Sequence, residues 1–143
     1  MKIYEEMKIE RCSLKEDMYL FCVTAQSFPN GIIEAFQKLE SLDPSICERP
    51  FYGISFQNNN GEIIYKAAVA EIFRGEGKKY GCETFVIAQG TYLTITLLDF
   101  MKNLEAIPNA FKALLDDPRV DTEFPWVEWY KSNTELLCMV RIN

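Results

Sequence analysis

The chain repeats itself once, and that repeat restricts its possible folds more than any other feature. Y-L-F-C-V-T from Tyr19 lies against Y-L-T-I-T-L from Tyr92. Ala35-Phe36, Leu39 and Asp43-Pro44 lie against Ala110-Phe111, Leu114 and Asp117-Pro118. F-Y-G-I-S from Phe51 lies against W-V-E-W-Y from Trp126, and Glu62-Ile63-Ile64 against Glu135-Leu136-Leu137. Each half reads strand–strand, helix, strand–turn–strand. A period of about 75 residues in two copies does not make a solenoid. It implies one α+β domain over residues 1–143, with halves of about 1–75 and about 79–143. The halves should be related by a pseudo-two-fold, share an antiparallel sheet, enclose a groove and divide near residues 74–80.

Local pattern supplies the elements. Residues 3–12 alternate in part and read as a strand, and Ser13 to Asp17 as a charged turn. Met18 to Thr24 is rich in β formers and reads as a buried strand. Ile32, Ala35, Phe36, Leu39 and Leu42 take helical spacing, which predicts a helix near 29–42. Asp43-Pro44 ends it, because a proline disfavours helical geometry in the residue before it. Pro50 to Gln57 and Ile63 to Glu71 form a hairpin around Asn58-Asn59-Asn60-Gly61, whose residues tolerate positive φ. Arg74 to Lys79 reads as a polar connection. Strands follow at Cys82 to Ala88 and Thr91 to Leu98, with Gln89-Gly90 as a bend or bulge. Residues 99–106 carry no clear period. Ile107, Ala110, Phe111, Leu114 and Leu115 predict a helix near 107–116, with Pro108 tolerated in its first turn. Trp126 to Tyr130 and Glu135 to Ile142 read as the closing strands.

The stretch Trp126-Val-Glu-Trp-Tyr130 holds the most specific chemistry. Read as a strand, it puts Trp126, Glu128 and Tyr130 on one face and Val127 and Trp129 on the other. A carboxylate between two rings is costly if buried without a partner. It suits a pocket that receives a cation, since ring faces and a carboxylate both attract positive charge. The plainer alternative is an edge strand whose Glu128 reaches water between half-exposed aromatics. The repeat aligns Glu128 with Gly53, which either leaves room for what Glu128 holds or marks a bulge.

Composition removes several functions. The chain has no histidine, so Ser-His-Asp and Cys-His catalysis and histidine-ligated zinc are excluded; no metal or cofactor is expected. A net charge of −6 argues against broad nucleic-acid binding and suits a cationic ligand or a basic partner. The five cysteines form no C-x-x-C pair, which fits reduced thiols in a cytoplasmic protein without disulfides. No apolar run approaches the roughly 20 residues of a membrane span, and the acidic N-terminal stretch does not read as an export signal.

The second half resembles the GyrI-like small-molecule-binding family, which includes the effector-binding domains of AraC- and MerR-type multidrug transcription regulators. The features that carry the resemblance are Phe85-Val-Ile-Ala-Gln-Gly-Thr-Tyr92, the helix through Phe111, and Glu128-Trp129-Tyr130 followed by a closing strand. The resemblance implies two β-α-β-β repeats with helices on one side of the sheet and a ligand cleft on the other. It implies that Glu128 pairs with organic cations. Trp126, Tyr130, Tyr92 and Tyr52 would line the cleft, with Gly53 beside them, and Trp129 would stay with the core. No DNA-binding segment is read before the domain, so direct DNA binding is not expected of this stand-alone form. Three activities follow from the resemblance. The chain could bind lipophilic or aromatic, cationic ligands; it could be a metal-free hydrolase of cyclopropane-type electrophiles, with Glu128 activating water; or it could be an inhibitor-like partner of gyrase.

Overall fold

Alternation of period two and stripes of period 3.6 account for most of the elements. The computed structural model describes residues 7–143. Its strands are β1 (Glu10–Leu14), β2 (Met18–Thr24), β3 (Phe51–Gln57), β4 (Ile63–Ala70), β5 (Glu83–Ile87), β6 (Gly90–Leu98), β7 (Trp126–Tyr130) and β8 (Glu135–Arg141). The helices are α1 (Ile32–Glu40), α2 (Glu76–Lys79) and α3 (Ala106–Leu115), with short 3-10 turns at Pro44–Glu48 and Phe100–Lys102. The fold is α+β and consistent with the GyrI-like fold. Among the described residues no helix is long and apolar enough to cross a membrane.

Two expectations about local structure change. The first strand begins at Glu10 and runs on to Leu14, through the start of the turn expected at Ser13; the part of that reading on residues 3–6 lies outside the described residues. Arg74 to Lys79 is not all connection, because a four-residue helix, α2, closes there. The Glu76 carboxylate accepts the Ile72 N–H at 3.0 Å, and the Glu71 carboxylate accepts the Gly77 N–H at 2.8 Å. The second bond satisfies a first-turn N–H that the short helix leaves open, and the first ties the helix to the chain that leads into it.

Turn chemistry is local and as expected. The Asn58 side-chain oxygen accepts the N–H groups of Asn60 and Glu62, and Gly61 takes φ +79°. Ser132 Oγ accepts those of Thr134 and Glu135 between β7 and β8. Asp43 stops α1 and starts the next turn by accepting the Ser45 N–H at 3.1 Å.

The chain forms two compact units. One holds β1 and the chain from Gln89 to Asn143; the other is Asp17–Ala88. In the first, the antiparallel strand order is β1-β6-β8-β7; in the second it is β5-β2-β4-β3. These units are not the two sequence repeats. β1 pairs with β6 and β5 pairs with β2, so the leading strand of each repeat completes the sheet of the other unit. In the first unit α3 covers one face of the sheet, with Ala110 and Leu114 fully buried against Leu93, Ile95, Leu136 and Cys138. In the second unit α1 does the same, with Ala35 and Leu39 against Phe21, Ala67 and Val69.

Candidate functional site

Register decides which way Glu128 faces. Opposed residues of an antiparallel pair share a face. Glu128 is opposed to Cys138 and Tyr130 to Leu136, both members of the cluster under α3. Val127 and Trp129 are opposed to Met139 and Leu137 on the other face. Trp126, Glu128 and Tyr130 therefore lie on the face that carries α3, all three half-buried. The resemblance had implied a cleft on the side away from the helices. Strand alternation fixes that the three residues share a face, but only pairing with β8 decides which.

Two phenylalanines hold the rings. Phe111, from α3, stacks on Trp126 with centroids 6.2 Å apart and planes 28° from parallel. Phe100, from the turn after β6, meets Tyr130 edge-on at 5.5 Å and 62°. Glu128 sits between these two aromatic pairs. The Tyr130 hydroxyl donates to Glu128 Oε1 at 2.8 Å, a charge-assisted bond that keeps the carboxylate solvated inside an apolar frame. Burial pushes the Cys138 thiol well above its ordinary range, and the Glu128 charge adds to that. This arrangement can attract and orient a positive charge through ring faces and a carboxylate.

The other candidates fall elsewhere. Tyr92 is buried and opposed to Cys12 and Arg141, on the face of the first unit away from α3. It does not join Glu128, because it is one residue out of phase with Leu93 and Ile95, which pack under the helix. Tyr52 and Gly53 belong to the second unit. Tyr52 is opposed to Ala68, away from α1, and burial pushes its hydroxyl up to about 12. Gly53 is opposed to Ala67 on the α1-bearing face, the position in its unit that Glu128 holds in the other. Phe100 was missed from sequence because residues 99–106 show no period; Phe111 was visible only as part of the helix stripe.

Two further charged clusters lie in the second unit. Lys66, buried on β4, binds Glu83 at 2.7 Å and Thr24 at 2.9 Å. Arg49 binds Glu76 through both guanidinium nitrogens at 2.9 and 2.6 Å. Among the described residues no three or more Cys, Asp or Glu side chains gather as a metal site would require.

No family model matches the chain, and no curated protein does. Solved structures match along nearly its whole length. An integron cassette protein from the mobile metagenome of Vibrio cholerae is 12% identical, with TM-score 0.69, covering 96% of this chain and 97% of the other. SAV2435 bound to tetraphenylphosphonium is 10% identical, with TM-score 0.64, covering 96% and 94%. The C-terminal domain of EcmrR is 10% identical, with TM-score 0.62, covering 96% and 98%. At such identities the likeness is one of fold.

Proposed function

We propose that this chain is a small-molecule-binding domain of the effector-binding type, and that it takes lipophilic or aromatic cations with Glu128 as the counter-charge. The observation that carries the reading is Glu128 held at 2.8 Å by Tyr130 between two aromatic pairs. Support comes from the solved structure of like fold that holds tetraphenylphosphonium and from a Staphylococcus aureus structure of like fold described as a bacterial transcription regulation protein. Trp126 and Tyr130 present ring faces, Glu128 supplies charge, and Phe100 and Phe111 keep both rings in place. A soluble, cytoplasmic setting with reduced thiols completes the proposal; all five cysteines are free.

Calorimetric titration with tetraphenylphosphonium and with neutral triphenylphosphine oxide tests it. Glu128→Gln keeps the size and removes the charge. The cation should lose about 2–3 kcal/mol, the Coulomb energy of unit charges about 6–8 Å apart at an effective dielectric constant of about 20, while the neutral compound loses far less. Equal cation binding by the parent and the variant would remove Glu128 from the site.

A further inference from the structure

We propose that β5 is a docking edge for a second copy of this chain, paired antiparallel about Phe85. β5 ends the strand order of its unit and has β2 as its strand neighbour. The direction of its main-chain groups follows from β2. Tyr19 C=O accepts the Glu71 N–H at 2.9 Å, and the Ala25 N–H donates to Tyr65 C=O at 2.8 Å. The odd-numbered residues of β2 thus face β4, and Met18, Leu20 and Cys22 face β5. Their partners Ile87, Phe85 and Glu83 complete those pairs. Thr84 and Val86 are left with N–H and C=O groups turned outward.

β1, which ends the strand order of the first unit, is protected in a way that β5 is not. β1 carries Glu10 and Arg11, with Lys8 before it and Lys15, Glu16 and Asp17 after it; charges of this kind discourage strand addition. β5 reads Glu-Thr-Phe-Val-Ile, with no lysine and no proline. Its one charge, Glu83, is bound to Lys66 at 2.7 Å. Val86 is 44% exposed, and its neighbour across the pair, Tyr19, is 37% exposed.

A two-fold through Phe85 makes this edge complementary to itself. Thr84 then opposes Val86 of the second copy, and each of the two such pairs exchanges two N–H···O bonds, so every outward N–H and C=O of these residues is satisfied once. Phe85 opposes its own copy at the closer, non-hydrogen-bonded position, where aromatic pairs stabilise a sheet. Glu83 opposes Ile87, so no like charges meet. A five-residue edge is short beside the roughly 1,200–2,000 Å² of a standard stable interface, so the pair should be in concentration-dependent exchange. Each copy carries a charge of −6, and salt that screens this repulsion should strengthen the pairing. An acidic peptide held by the nearby Arg74 and Lys78 would show the opposite salt response.

Sedimentation velocity of the full chain over a wide concentration range tests the proposal. The mass should rise about twofold, as for a closed two-fold dimer, and more readily at higher salt. Val86→Pro removes one outward donor and leaves the β2 ladder intact, and it should remain monomeric. Thr84→Lys with Val86→Lys opposes lysine to lysine and should also be monomeric. Thr84→Glu with Val86→Lys opposes unlike charges in the same register and should restore the dimer. Circular dichroism melts establish that each variant folds; if Val86→Pro does not, the two charge variants carry the test. A parent chain that stays monomeric throughout overturns the proposal. So does a dimer that survives Thr84→Lys with Val86→Lys, or one lost alike in both charge variants.

Discussion

Single side chains show how burial sets reactivity here. Cys138 lies in the cluster under α3 and Cys22 is buried on the face of its sheet away from α1, and burial pushes both thiols up, Cys22 to about 12. The thiolate is the nucleophile, so neither should react in the folded chain. Cys47 is exposed; its thiol is also raised, by desolvation and then by Glu40, whose carboxylate lies 3.5 Å away. Access should decide the order. Iodoacetamide labelling followed by peptide mass analysis should find Cys47 modified well before Cys22 or Cys138, which should react only with denaturant. Early labelling of Cys138 would mean that the face beneath α3 opens readily, and the frame around Glu128 with it. Glu128 itself was legible as an aromatic-flanked carboxylate. Its bond to Tyr130 was not, since residues two apart on a strand share a face without any requirement that they touch.

Among the elements, α2 depends most on contacts distant in sequence. It has four residues, far too few to persist on helical propensity. Arg49 reaches it from 27 positions earlier, and Glu76 is almost fully buried beneath that guanidinium. Hydrogen bonds from Arg49 hold the Glu76 carboxyl below the usual carboxylate range, against the opposing effect of burial. Glu76→Ala leaves a largely buried arginine uncompensated and should cost about 3 kcal/mol, the lower end for breaking a buried pair. Urea denaturation at neutral pH measures this. A loss of only a few tenths would show that α2 is held by packing, through Gly77 against Phe21 and Thr84, and not by the ion pair.

At the scale of the whole molecule, charge and the absence of histidine set the response to pH. Asp43, Glu76, Glu83 and Asp117 all have carboxyls held low: Asp43 by the Ser45 N–H, Glu76 by Arg49, Glu83 by Lys66, and Asp117 by Arg119, to about 2. A carboxyl lowered by folding contributes stability above its unfolded value, about 4, and loses it as pH falls through the folded value. With no histidine, no side chain of ordinary pKa titrates near neutrality. Melting temperature should therefore be flat between roughly pH 5.5 and 7.5 and fall below about 4.5. A melting transition that shifts near pH 6.5 would contradict this. By itself the sequence determined the strands, the two main helices and their repeated order, because alternation, apolar stripes and turn residues act over a few neighbouring positions. It also determined that Trp126, Glu128 and Tyr130 share a face. Only the tertiary structure decided that β1 joins β6 and β5 joins β2, that Glu128 lies on the α3 face while Tyr92 does not, and that Lys66 finds Glu83 across 17 positions. Strand partners, facing and buried ion pairs depend on which distant surfaces lose water together, and no short stretch of the chain encodes that.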